Sequence, residues 1–280
     1  MSVERSRVLV AVEELIGLLT AGAPVVLLDV LDEPGAAPVD RPRIPGALSV
    51  HLSTDFSGKP SPLAGKRPLP EIAALETSAR RWGVNPDTPV VVYDNNGGAQ
   101  ASRAWWTLRW AGFENVRILD GGMGAWTATG RDVAHHHQVE APVAGSVTLS
   151  AGNMPVIEAD DAARLAREAV LLDARGRAAY VGEPGKAATG HIPGAHSAPA
   201  TATVGPDGAF KPHEALRAHF AALGADGSTE IGVYCGSGNA AAHAIAALAA
   251  AGLPASLYVG SWSAWSADPS RPVAQGPERG

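Results

Sequence analysis

The chain has 280 residues, of which 46% are hydrophobic and 18% are charged, and its formal net charge at pH 7 is −6. This length favours two domains, and the acidic balance argues against nucleic acid as a partner. The single cysteine excludes an internal disulfide framework and a zinc site built from several cysteines. Since the N-terminal residues lead into a short amphipathic run, we expect no signal peptide, no membrane span and a cytoplasmic location.

The first half of the chain alternates predicted helices and strands. Apolar spacing predicts a helix over 12–20, and the continuous apolar run at 24–29 has the length of a strand that is buried on both faces. We then expect a Pro- and Gly-rich loop over 31–70, a helix over 71–82, a strand over 89–93, a helix over 99–111, a strand over 116–119 and a short helix around 125–126. This alternation is typical of a parallel α/β sheet covered by helices on both faces.

Residues 131–154 are polar and dotted with Gly and Pro, which indicates a linker. The segment contains His135, His136 and His137, but neighbours on an extended chain point to opposite sides, so we predict no metal site there. The predicted organisation is therefore an N-terminal domain at 1–130, this linker, and a C-terminal domain at 155–280.

The second half of the chain repeats the order of the first half. A helix is predicted over 158–169 and a strand over 169–173. The landmarks Asp29, Ile44, Asp94 and Trp126 are matched by Asp173, Ile192, Cys235 and Trp265. Because matched landmarks are separated by a nearly constant 139 to 148 positions, the sequence predicts two copies of one domain.

Cys235 ends an apolar strand and precedes Gly236-Ser237-Gly238 and a helix that runs to about Ala251. Sites in parallel α/β sheets lie at the carboxyl ends of strands. The N–H groups of the helix's first turn have no partner inside the helix and favour an anion, and glycines allow these groups to converge. Because the thiolate is the nucleophilic form of cysteine, we predict Cys235 as the catalytic nucleophile, with a buried structural cysteine as the alternative.

In the first copy, Asp94 takes the position of Cys235. A carboxylate there does not act as a sulfur nucleophile, so the N-terminal domain is predicted to be catalytically silent and to wall a cleft between the two domains.

Eight short motifs occur in order along the chain. They are Ile44-Pro45-Gly46-Ala47, Val90-Val91-Val92-Tyr93-Asp94, Arg103-Ala104-Trp105-Trp106, Leu119-Asp120-Gly121-Gly122, Leu172-Asp173-Ala174-Arg175, Gly190-His191-Ile192-Pro193-Gly194-Ala195, Cys235-Gly236-Ser237-Gly238 and Gly260-Ser261-Trp262. Together they resemble the tandem-domain rhodanese family of sulfurtransferases over nearly the whole chain. The resemblance implies two tandem α/β domains, each a parallel β-sheet flanked by helices, of which the C-terminal one is active.

The resemblance also implies a reaction. The Cys235 thiolate would attack the outer sulfur of thiosulfate or 3-mercaptopyruvate, and the resulting persulfide would pass its sulfur to cyanide, a small thiol or a protein thiol. The substrate-binding residues implied after the cysteine are Gly236, Ser237, Gly238, Asn239 and Ala240. No metal or organic cofactor is expected, because the persulfide itself carries the sulfur.

Two departures from the family pattern affect the donor site. Ala179 and Val181 flank Tyr180, where the family usually has one or two substrate-binding arginines. Arg177 is the candidate replacement, with Lys186 as another, whereas Arg175 is expected to form an internal ion pair. The Gly-Ser-Gly loop matches members selective for 3-mercaptopyruvate, while members selective for thiosulfate have basic residues there. For Asn239, capping of the helix and contact with substrate remain open.

Two other functions are alternatives to an active sulfurtransferase. The missing arginines support a non-catalytic sulfur or redox binding module. A cysteine-dependent phosphatase needs an arginine about six residues after the cysteine, and this position holds Ala241, so we discount that function.

Overall fold

The computed structural model describes residues 2–35, 41–135, 142–186 and 188–280. His136 and His137 of the predicted linker lie outside these ranges.

Two five-stranded sheets form the framework, and every strand pairing in them is parallel. The first sheet contains β1 (Leu9–Val10), β2 (Val26–Leu31), β3 (Leu48–His51), β4 (Val90–Tyr93) and β5 (Val116–Leu119) in the spatial order β1-β5-β4-β2-β3. The second sheet contains β6 (Val156–Ile157), β7 (Val170–Asp173), β8 (His196–Ser197), β9 (Ile231–Tyr234) and β10 (Ser256–Tyr258) in the spatial order β6-β10-β9-β7-β8. The same topology thus occurs twice, which confirms the predicted fold class of two tandem parallel α/β domains.

Helices flank both sheets. Those that accompany the first sheet are α1 (Val3–Val8), α2 (Val12–Thr20), α3 (Leu52–Asp55), α4 (Ile72–Arg81), α5 (Ala99–Trp110) and α6 (Gly122–Ala128). Those that accompany the second sheet are α7 (Ala159–Glu168), α8 (Arg177–Val181), α9 (His213–Ala221), α10 (Asn239–Ala250) and α11 (Ser261–Trp265), with a 3-10 turn at Ala200–Thr203. Among the helices of the described residues, none combines the length and apolarity needed to cross a bilayer.

The central strands explain why the sequence specifies this fold. All four residues of β4 and of β9 are buried, and each strand lies between two others in its sheet. Strands covered on both faces need continuous apolar runs instead of alternation. The two central strands end at the same edge of their sheets, so the residues that follow them, Asp94 and Cys235, occupy equivalent positions.

The segment 31–70, predicted to be a loop, contains β3 and α3. Both elements are four residues long, which is too short for a periodic apolar pattern to develop. β3 forms because it pairs with the edge of β2, with Leu28 opposite Leu48 and Leu31 opposite His51. The formation of this strand therefore depends on a tertiary contact and not on the local sequence.

The two domains share one hydrophobic cluster, built largely on α5 and α10, which pack against each other. Helix α10 is mostly alanine, whereas α5 carries Trp105 and Trp106 in the same cluster. Small side chains on one helix leave room for large ones on the other, so the two helices come close together.

Helix α1 also joins the domains. It belongs to the N-terminal half but packs on α10. The Arg5 guanidinium pairs with Asp120 at 2.6 Å and donates to the carbonyl oxygens of Phe210 and Lys211, each at 2.8 Å. Asp120 in turn accepts the Phe210 N–H at 2.7 Å. The two halves are thus joined by charged and apolar contacts.

Candidate active site

Cys235 lies directly after β9, at the carboxyl edge of the second sheet, and α10 begins four residues later. Its Sγ accepts a hydrogen bond from the Gly238 N–H at 3.1 Å. Its own N–H donates to Ser261 Oγ at 3.3 Å, and that hydroxyl donates to the Tyr258 carbonyl at 2.9 Å. These bonds fix the loop so that the sulfur faces the first turn of α10.

Gly238 is the N-cap of α10 and has a φ of +97°, a conformation that favours glycine. A Cβ at this position would also lie only 3.0 Å from Arg103 Nη1. The absence of a side chain therefore permits both the backbone turn that aims the N–H at the sulfur and the close approach of the arginine.

A cleft of about 530 Å³ opens beside the cysteine loop and is lined by both domains. Its lining residues are Pro60, Ser61, Pro62, Gly65 and Lys66 from the N-terminal domain and Gly236, Ser237, Trp262, Ser263 and Ser266 from the C-terminal domain. Among these described lining residues, Lys66 alone carries a charge, and its backbone N–H donates to Ser263 Oγ at 3.0 Å across the cleft. Cys235 is 3% exposed and lies next to the lining residues Gly236 and Ser237.

The equivalent loop of the N-terminal domain holds the Asp94 carboxylate. This carboxylate accepts hydrogen bonds from the N–H groups of Asn96, Gly98, Gln100 and Ala101, at distances of 2.8 to 2.9 Å. Asp94 lines a separate cleft of about 470 Å³, which also includes Pro206 and Phe210 of the other domain. One copy of the loop therefore binds a negative charge through converging backbone N–H groups.

Arg103 and His243 occupy the same position, the fifth residue, of α5 and α10. Each side chain crosses to the loop of the other domain: Arg103 lies against Gly238, and a Cβ on Gly98 would lie 3.3 Å from His243 Cε1. Burial lowers the pKa of His243 to about 4, so its ring is neutral at physiological pH. The loop with the cysteine thus faces a cation, and the loop with the aspartate faces a neutral ring.

A model of the rhodanese-like domain matches the chain twice, at residues 11–129 and 158–268. The chain belongs to the rhodanese family. Two bacterial relatives match it over most of their length. A Mycobacterium tuberculosis protein with the provisional name thiosulfate sulfurtransferase SseB is 44% identical, and the match covers 97% of this chain and 98% of the relative. The 3-mercaptopyruvate sulfurtransferase of Escherichia coli is 37% identical, over 82% of this chain and 83% of the relative.

The crystal structure of the Tum1 protein from Saccharomyces cerevisiae has a similar fold. The TM-score is 0.81 at 22% sequence identity, and the match covers 97% of this chain and 99% of the yeast chain. The shared fold therefore extends over both domains and their arrangement along the chain.

The cations suggested by the sequence of this rhodanese are not among the residues that line the cleft. Arg177, the first residue of α8, is exposed and lies 5.8 Å from the centre of the Tyr180 ring. Lys186 is exposed and pairs with Glu183 at 3.0 Å. The sequence does not predict Lys66 as a site residue, because nothing in the local sequence indicates that segment 60–66 meets the cysteine loop.

Among the remaining residues that follow the cysteine, Asn239 does not cap the helix. The sequence allows Asn239 to cap the helix, but Gly238 is the N-cap and Asn239 is the first residue of α10. The Asn239 Oδ1 atom is buried without a hydrogen-bond partner, while Ala240 is half-buried against the core. Gly98 is likewise the N-cap of α5, so a glycine enters the helix in both copies.

Arg175 forms the internal ion pair that the sequence predicted. It pairs with Asp173 at 2.5 Å, donates to the Gly190 carbonyl at 2.6 Å, and lies 4.5 Å from the centre of the Trp262 ring. Since Trp262 lines the cleft, the ion pair supports one wall of the site without facing it. Within the described residues, no group of three or more His, Cys, Asp or Glu side chains is placed to hold a metal ion.

Proposed function

We propose that this rhodanese is a sulfurtransferase that moves a sulfane sulfur from thiosulfate or 3-mercaptopyruvate to a thiophilic acceptor through a persulfide on Cys235. The observation that carries the proposal is the Gly238 N–H bond to Sγ at the first turn of α10, beside an interdomain cleft. The positive end of the helix and its free N–H groups favour a negatively charged sulfur there. The sulfurtransferase names of the relatives support the same chemistry.

The hydrogen bonds of Asp94 support a persulfide intermediate by analogy. A carboxylate oxygen and the outer sulfur of a cysteine persulfide are both two atoms beyond Cβ, and both carry negative charge. In the first copy, the Gly98 and Ala101 N–H groups bind these carboxylate oxygens. The corresponding N–H groups in α10 are those of Gly238 and Ala241, because the two helices begin 140 residues apart. We therefore assign the outer sulfur of the persulfide to this cradle.

The reaction has two steps. The Cys235 thiolate attacks the outer sulfur of the donor, a new S–S bond forms, and the donor's bond to that sulfur breaks with its electron pair. Thiosulfate leaves as sulfite, and 3-mercaptopyruvate leaves as the enolate of pyruvate, which then takes a proton. The acceptor, cyanide or a thiol, attacks the outer sulfur and releases the Cys235 thiolate. A covalent intermediate of this kind predicts ping-pong kinetics.

The cleft favours 3-mercaptopyruvate as the donor. Ser237 lines the cleft, and in this proposal its hydroxyl hydrogen-bonds or relays a proton to the leaving enolate. The cleft offers one ammonium group, that of Lys66, which suits a monoanionic carboxylate better than the dianionic thiosulfate.

Intact-mass spectrometry tests the proposal. The protein is incubated with either donor, freed of excess donor and weighed. We expect the mass of one added sulfur atom, its loss on addition of cyanide, and no gain in Cys235→Ser. An unchanged mass with both donors would contradict sulfur transfer and favour the non-catalytic binding module. The rates of the two half-reactions would rank the donors.

A further inference from the structure

Arg103 is a fully buried cation of the silent domain, with an exposed fraction of 0%. Its Nη2 donates to the Arg67 carbonyl at 3.0 Å, but its Nε and Nη1 have no hydrogen-bond partner. Arg67 itself pairs with Asp32 at 2.5 Å, so that carboxylate already has a cation. Buried charges are normally paired, because removal from water is costly. Arg103 therefore needs a negative charge from elsewhere in the molecule.

The unpartnered side of Arg103 faces the cysteine loop. Nη1 approaches Gly238, and the N–H of the same glycine donates to Sγ. The pKa of Arg103 is lowered to about 10, mainly by burial; the negative charge of Cys235 partly offsets this effect, and the neighbouring Arg67 adds a smaller lowering. The guanidinium thus stays protonated at neutral pH and lies within the electrostatic reach of the sulfur.

We propose that Arg103 is the counter-cation of the Cys235 thiolate, so that the silent domain supplies the positive charge that keeps the other domain's nucleophile ionised. The inference rests on the proposed function in taking Cys235 as the nucleophile. Arg103 acts by stabilising the charge on the sulfur, so it is a positioning residue. Among the described residues, the groups that act on the sulfur are Arg103 from α5, with Arg67 behind it, and the Gly238 N–H of its own domain, while Ser261 accepts the Cys235 backbone N–H.

The other half of the molecule supports this assignment. His243, at the matching position of α10, faces the loop in which the four N–H groups already bind the Asp94 carboxylate. There the crossing side chain is neutral. The permanent cation, Arg103, lies opposite the cysteine loop, where the thiolate has one described hydrogen bond. An added positive charge therefore stabilises that anion more than it would stabilise the Asp94 carboxylate.

The test is the rate of alkylation by iodoacetamide as a function of pH, since the reagent is neutral and Cys235 is the only cysteine of the chain. For Arg103→Met, we expect the midpoint of the rate profile to rise by about one pH unit, which corresponds to about tenfold slower alkylation below the midpoint. Arg103→Lys should restore most of the rate. Arg109→Met is the matched control, because Arg109 lies on the same helix but donates to the Glu114 carbonyl, and its profile should coincide with that of the unaltered protein.

A folded Arg103→Met protein with an unchanged midpoint, or an Arg103→Lys protein no faster than Arg103→Met, would overturn the inference. Circular dichroism and thermal melting establish folding, and Arg103→Gln, which retains a donor for the Arg67 carbonyl, replaces the Met variant if that variant does not fold. Alkylation requires no sulfur donor. A shifted midpoint without any mass gain from thiosulfate or 3-mercaptopyruvate would therefore refute sulfur transfer and leave the inference standing.

Discussion

At the scale of individual residues, the open choice is which cation binds the anionic group of the sulfur donor. Ala179 and Val181 stand where the family usually has arginines, and the sequence suggested Arg177 as the replacement. The structure places Arg177 on the exposed side of α8 and Lys66 in the lining of the cleft. The two residues offer alternative cations for one anionic group.

We expect Lys66→Ala to raise KM for 3-mercaptopyruvate about fivefold with little change in kcat, because an exposed ion pair contributes up to about 1 kcal/mol. Arg177→Ala is measured beside it as the replacement suggested by the sequence. Steady-state kinetics on both variants decide between them. A larger KM increase for Arg177→Ala would assign the donor's anionic group to α8 in place of the segment 60–66.

At the scale of elements, the strand–loop–helix unit occurs twice with different occupants. The β4 loop closes its N–H groups around a carboxylate, and the β9 loop, one residue shorter, directs the Gly238 N–H at a sulfur. In both domains a backbone N–H donates to the side chain of the residue that follows the strand, which is an aspartate in one domain and a cysteine in the other, and we propose that only the cysteine is reactive.

Asp94→Asn tests this division. We expect turnover to stay within about threefold of that of the unaltered protein, because Asp94 lines a different cleft from the one beside Cys235. The free energy of unfolding should fall by about 1–3 kcal/mol, since one oxygen that accepts N–H groups becomes an amide that repels them. Turnover and urea unfolding measure the two effects, with Asn95→Ala, an exposed neighbour, as the control. Complete loss of turnover would show that the N-terminal domain takes part in the chemistry.

At the scale of the whole molecule, the domains depend on each other through α5 and α10. Each helix starts at its own anion-binding loop and sends its fifth side chain to the loop of the other domain. The cleft also takes its walls from both domains. Both domains thus contribute to the candidate active site, and buried titratable groups lie at the interface between them.

One such group makes stability depend on pH. Because burial lowers the pKa of His243 from 6.5 to about 4, the unfolded chain binds its proton more readily than the folded chain. The resulting stability is fully present above pH 6.5 and is lost as the pH falls towards 4. This loss is on the order of 3 kcal/mol between pH 7 and pH 4.

Urea unfolding at several pH values measures this loss. His243→Leu should show a flatter profile than the unaltered protein over the same window, while a variant at an exposed histidine, His135→Leu, should keep the steep one. Parallel profiles for the protein and His243→Leu would contradict the assignment to this ring.

The sequence by itself determined the duplicated α/β order, the position of Cys235 after a buried strand and the presence of Asp94 at the equivalent position. These features follow from signals that lie within a few residues: continuous apolar runs for strands covered on both faces, and Gly-rich turns at their carboxyl ends. The internal Arg175–Asp173 pair could be predicted for the same reason, since its members are two residues apart.

Only the tertiary structure decided what surrounds the sulfur. Arg103 and Lys66 lie more than 130 residues before Cys235, and their approach results from the packing of α5 on α10 and of segment 60–66 on the cysteine loop. β3 depends in the same way on the edge of β2. The physical reason is that burial and charge pairing act through space, and contacts between residues this far apart leave no periodic pattern in the local sequence.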